Sequence, residues 1–99
     1  MMTVITRVTL DEGTEPAWDE AMQDRMETAR SVEGWISGQI LMPLDAPDER
    51  VIVGMWETRA AWEAWHEDPA FRETRERLER IGADDGDTVW HEAVYDART

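Results

Sequence analysis

The sequence predicts a single α+β domain that associates as a homodimer, and three observations predict it. Segments rich in β-branched residues alternate with segments of helical apolar spacing in the order β-α-β-β-α-β. The chain is 99 residues long, one domain's worth, yet it carries 6 Trp. One of its strands is apolar on both faces. A domain of this length buries only about two thirds of the surface that its unfolded chain exposes, and each buried indole removes on the order of 150–250 Å² from water. Most of the indoles are therefore structural, and so apolar an inventory looks for a partner.

Residues 3–10 are rich in Thr, Val and Ile and end at Asp11-Glu12-Gly13, which supplies turn chemistry. Thr14 or Glu15 then caps a helix with Pro16 in its first turn, where a missing N–H costs nothing. Its apolar stripe is Trp18, Ala21, Met22, Met26 and Ala29, which carries the helix to about Val32, and Gly34 closes it. A second strand runs from Trp35 to Met42, and the loop Pro43 to Asp48 holds two prolines and two acids. In the third strand Val51, Val53 and Met55 point one way while Ile52, Gly54 and Trp56 point the other. Helices of the same chain can cover one of these faces; the obvious cover for the other is the sheet of a second copy.

Thr58 is placed to cap a short helix carrying Ala61, Trp62 and Trp65, and Asp68-Pro69 restarts the chain as an N-cap with proline behind it. The third helix lines up Phe71, Thr74, Leu78 and Ile81, while Arg72/Glu76, Glu73/Arg77 and Glu76/Arg80 are opposite charges four apart on its other face. Gly82 stops it. A last strand, Thr88 to Asp96, sets Trp90, Glu92 and Val94 against Val89, His91, Ala93 and Tyr95. The whole is a ferredoxin-like βαββαβ arrangement with a four-stranded antiparallel sheet.

The net charge of −13 would repel a phosphate backbone, so no nucleic-acid partner is expected. Without cysteine there is no disulfide and no thiolate nucleophile or ligand. Arg7 precedes any apolar stretch of signal-peptide length, and no segment approaches the ~18 apolar residues of a membrane helix. A cytoplasmic protein with no membrane partner is the expectation. No metal site is expected from two His with neither His-x-His nor His-Glu-x-x-His spacing, and no glycine-rich phosphate loop points to a nucleotide cofactor.

The segment from Val53 to Phe71, VGMWETRAAWEAWHEDPAF, resembles the central stretch of the antibiotic biosynthesis monooxygenase family within the dimeric α+β barrel superfamily. There a strand ends on Trp, a short helix begins with Ser or Thr, and an aromatic or His precedes a Ser/Asp-Pro-x-Phe helix start. The resemblance implies a homodimer whose sheets pack face to face, with a pocket in each protomer between sheet and helices. It also implies oxygenation of small aromatic quinols or polyketide anthrones without a cofactor. Haem-degrading members carry an iron-ligating His about ten residues after a Trp at the position of Trp65; this chain has Arg75 there.

Cofactor-free oxygenation needs a dry apolar pocket, a base to form an electron-rich phenolate and a polar group to hold the oxygenated anion. His91 and His66 are the residues that titrate near neutral pH. His91, with Tyr95 further along its strand face, is the candidate base if that face looks into the pocket; otherwise it is a satisfied core or interface histidine. Arg7 could stabilise an oxyanion or pair with an acid between protomers. Trp56, Trp62 and Trp65 are candidates for an aromatic substrate wall, or for core. His66 is a candidate substrate contact whose bland reading is a surface residue complementing a helix dipole. Against the enzyme stands a non-catalytic dimeric barrel that binds a small apolar ligand or serves a structural role.

Overall fold

The computed structural model describes residues 1–97. Its elements follow the expected order: β1 (Met2–Thr9), α1 (Glu15–Ala29), β2 (Trp35–Leu41), β3 (Glu49–Trp56), α2 (Arg59–Trp65), α3 (Pro69–Arg80) and β4 (Asp87–Glu92). Local chemistry sets the helix starts. The Thr58 hydroxyl accepts from the Ala61 N–H at 3.1 Å and the Asp68 carboxylate from the Ala70 N–H at 2.8 Å, so these two expected caps form, whereas Thr14 holds the N-cap position of α1 without a side-chain capping bond, its hydroxyl donating instead to the Asp11 carbonyl at 2.7 Å. On α3, Arg77 and Arg80 pair with Glu73 and Glu76, while Arg72 turns back to Glu67 at 2.6 Å.

The four strands form one antiparallel sheet in the order β2-β3-β1-β4. Pairing of Val4 with Gly54 and Trp90, and of Gly54 with Gly38, aligns these four residues in a row under the helices. The adjacent row, Ile40, Ile52, Thr6 and Thr88, faces the same way, and the Thr6 and Thr88 hydroxyls meet at 2.9 Å. Alternation sends Ile5, Arg7, Val51, Val53, Met55, Val89 and His91 to the opposite face, which no helix among the described residues covers. The two apolar faces expected of the third strand are thus both present.

The core lies between sheet and helices in two clusters. Met2, Val4, Ala29, Trp56, Trp65 and Phe71 make one; Val8, Leu10, Trp18 and Met22 make the other. Beside the second, Arg50 is 7 % exposed and forks onto Asp19 at 2.9 and 3.1 Å, tying β3 to α1. The two bonds to the Asp19 carboxylate raise the Arg50 pKa, against the opposing effect of burial.

Three boundaries differ from the sequence reading by two residues or more, the other shifts being of one residue. Helix α1 stops at Ala29 rather than near Val32, because residues 31 and 32 donate three residues back in tight turns before Gly34 at φ 89°. Strand β3 starts two residues earlier than Val51, since Glu49 and Arg50 still find Thr9 and Val8 to pair with. Strand β4 ends at Glu92 instead of Asp96: among the described strands it pairs with β1 alone, Glu92 stands opposite Met2, the first residue of β1, and Ala93 then donates to the Met1 carbonyl at 3.1 Å. Among the described residues no helix is long and apolar enough to cross a membrane.

Candidate active site

A cavity of about 420 Å³ opens between the sheet and the three helices. Its floor is the bare patch left by Gly38 and Gly54, which lie side by side on the helix-facing side of the sheet. A Cβ on Gly54 would stand 3.2 Å from Val4 Cγ1, and one on Gly38 would stand 2.8 Å from Met26 Cε. Side chains there would press on Val4 and Trp56 over Gly54 and on Met26 over Gly38.

Helix α2 supplies one wall. Trp62, Trp65 and His66 are spaced three and four apart, so they share the face that looks at the sheet. His66 is half-buried, with its ring 4.0 Å from that of Trp62 and 4.1 Å from that of Phe71 on α3. Trp62 meets Trp90 edge-on at 5.4 Å, and Trp65 meets Phe71 edge-on at 5.7 Å. An aromatic band therefore runs from β4 to α3. Trp90 Nε1–H in this band is buried and has no acceptor among the described residues.

His66 Nδ1–H donates to the Trp62 carbonyl at 2.8 Å, because a carbonyl can only accept. Its Nε2 is left as the acceptor nitrogen of a neutral ring. Burial holds the imidazole below its ordinary 6.5, helped by the positive charges of Arg25 and Arg75, while the Trp62 carbonyl pulls the other way. Arg25 projects from α1, donates from Nε to Thr74 Oγ1 at 2.8 Å and lays its guanidinium 4.0 Å above the Phe71 ring. Burial, and then the like charge of Arg75, push Arg25 down to about 10.

Of the residues singled out in the sequence, Trp56, Trp62, Trp65 and His66 meet at this cavity. Arg7, His91 and Tyr95 do not. Register corrects the expectation that His91 shares a pocket with Trp56 and Trp65: opposite Thr3, it lies on the far face of the sheet, exposed, with Nδ1–H on the Thr3 carbonyl at 3.2 Å. Arg7 is exposed on that same face, opposite Asp87. Tyr95 lies past the end of β4 and is 85 % exposed. The reading of His66 as a surface residue is likewise corrected, because Phe71 and Trp62 enclose it. Sequence reasoning passed over Arg25, the two floor glycines and Trp90. Glycine inside two otherwise apolar strands was the available signal, since it commonly marks a close approach. Among the described residues no group of three or more His, Cys, Asp or Glu side chains is placed to hold a metal ion.

A sequence profile described as antibiotic biosynthesis monooxygenase matches residues 1–77. The chain belongs to the antibiotic biosynthesis monooxygenase family. Membership places it among monooxygenase-type domains, and solved structures share the fold. A Nitrosomonas europaea protein named for this family superposes with a TM-score of 0.87 at 20% identity, over 96% of this chain and all of its own length. Rv0793 from Mycobacterium tuberculosis gives 0.85 at 15% identity, over 98% of each chain. SnoaB from Streptomyces nogalater, named a cofactor-independent oxygenase, gives 0.83 at 15% identity, over 96% of this chain and 94% of its own.

Proposed function

We propose that the chain, as one domain over residues 1–99, is a cytoplasmic, homodimeric, cofactor-independent monooxygenase that oxidises a small aromatic quinol or polyketide anthrone. The observation that carries this reading is His66, a neutral imidazole with a free Nε2 inside an indole-walled cavity next to two guanidinium groups. Trp56, Trp62 and Trp65 hold the ring. Nε2 takes the phenolic proton, and the cations nearby favour the phenolate that remains. That electron-rich ring reduces O₂; for an anthrone the CH₂ becomes C=O and the second oxygen atom leaves as water, so no external reductant is consumed. The name of the Streptomyces nogalater neighbour supports the absence of a cofactor. Arg7 and His91 are assigned to the dimer face, and Tyr95 to its rim.

An oxygen electrode tests this. Purified protein freed of flavin and metal should take up O₂ with 1,8-dihydroxyanthrone or 1,4-dihydroxynaphthalene well above autoxidation, one O₂ per anthrone. No uptake across a panel of such compounds would favour the non-catalytic barrel that only binds an apolar ligand.

A further inference from the structure

Acids outnumber basic residues 23 to 10 in this chain, so an arginine that lacks a carboxylate is an exception. Arg30, Arg50, Arg59, Arg72, Arg77 and Arg80 each hold one. Among the described residues, Arg7, Arg25 and Arg75 stand in no ion pair; Arg7 is on the opposite face of the sheet, whereas Arg25 and Arg75 line the same cavity. They converge on a single ring: Arg25 Cζ is 4.0 Å and Arg75 Cζ 5.1 Å from the Phe71 centroid.

Arg25 is also held in place. Its Nε–H goes to Thr74 Oγ1, and the Thr74 hydroxyl in turn donates to the Phe71 carbonyl at 2.8 Å. The rest of its fork has no protein acceptor among the described residues. Glu79, Asp84 and Asp85 line the cavity too, but they are exposed and bond to neither arginine; Asp85 is the weakest of the influences on Arg25. Two like charges, one withdrawn from water, face a cavity in which no carboxylate bonds to either of them. Such an arrangement disfavours the empty protein and favours an arriving anion, above all a planar carboxylate that a guanidinium fork can bind through two parallel hydrogen bonds.

We propose that Arg25 and Arg75 form an anion-binding end of the cavity, and that its guest is a fused aromatic ring bearing a carboxylate. The carboxylate docks on the two guanidinium groups, and the ring lies along the Trp62 and Trp65 wall within reach of His66. This rests on the reading of the cavity as a substrate site, and it narrows the substrate from any quinol or anthrone to an acidic one.

Binding without oxygen separates the two ideas. Titrated anaerobically by tryptophan fluorescence, 1,4-dihydroxy-2-naphthoate should bind at least tenfold more tightly than its methyl ester. In Arg25→Gln/Arg75→Gln the ratio of the two affinities should collapse towards one. Arg75→Gln alone, at an exposed position, should lower that ratio several-fold with the circular dichroism spectrum unchanged. Equal affinity of acid and ester for the native protein would overturn the anion site and leave the aromatic pocket standing. A preference left at its native value in either folded variant would overturn the assignment to these arginines. Binding of neither compound would overturn the site and the pocket reading together.

Discussion

His66 is one residue past the end of α2, yet its environment is that of an interior group. Burial with two arginines nearby keeps it neutral at physiological pH, and the Trp62 carbonyl fixes which nitrogen carries the proton. As the base, it should be sensitive to substitution: His66→Gln should lower kcat for anthrone oxidation by roughly 10²-fold or more, with the fold retained by circular dichroism. Turnover unchanged from the native enzyme would reject His66 as base. The same imidazole also links stability to pH. Its folded pKa is depressed, so just below 6.5 the unfolded chain binds more protons than the folded one. Its contribution is complete above 6.5 and is lost as the pH falls through the lower folded value. Urea unfolding at pH 7.5 and pH 5 should show that loss in the native protein and a smaller one in His66→Gln. None of this was legible in Trp65-His66-Glu67-Asp68, a segment flanked by acids, because the ring that buries His66 belongs to the next helix. For His91 the strand parity was legible but the face was not, since which parity faces the helices depends on pairing with Val4 and Trp56 across the sheet.

The Thr58 and Asp68 caps, written in local chemistry, matched the sequence reading. Ends set by a partner did not: β4 stops where β1 does, and β3 extends because β1 still offers Thr9. The cavity is likewise a property of paired elements. One glycine in a strand is a small local cost of about 0.5–1 kcal/mol relative to alanine; two in register remove the side chains from a patch of sheet and leave room under the helices. Gly54→Val should therefore overpack the floor, destabilise by about 1–3 kcal/mol in urea unfolding and abolish binding of a naphthalene quinol. Gly38→Ala meets only the flexible end of Met26, which can swing away, so it should cost less and weaken binding less. If both variants bound the quinol like the native protein, the guest would not sit on this floor.

At the scale of the molecule, the helices leave one side of the sheet uncovered. Gln39, Val53, Ile5 and Val89 form a row across all four strands on that side, and next to it Leu41, Val51, Arg7 and Asp87 form another. Val89 is 55 % exposed and Leu41 41 %, at the two edges of a face whose inner strands add Ile5, Val51 and Val53, so the apolar patch spans the whole sheet. Two such faces stacked about 10 Å apart would bury both rows and pair the exposed Arg7 with the abundant acids of the second copy. The expected species at micromolar concentration is thus twice the 11.5 kDa chain mass by sedimentation. Val53→Glu places a carboxylate in the middle of the row, where a dimer would have to desolvate two of them against each other, so it should yield a monomer. The helix-side core does not contain Val53, and the monomer should keep its helical circular dichroism. His91→Ala, on the same face, should raise the dimer dissociation constant while leaving turnover per assembled dimer unchanged, the opposite of what His66→Gln should do. A Val53→Glu protein that still sediments as a dimer would show that the copies meet elsewhere. The open face would then need another cover.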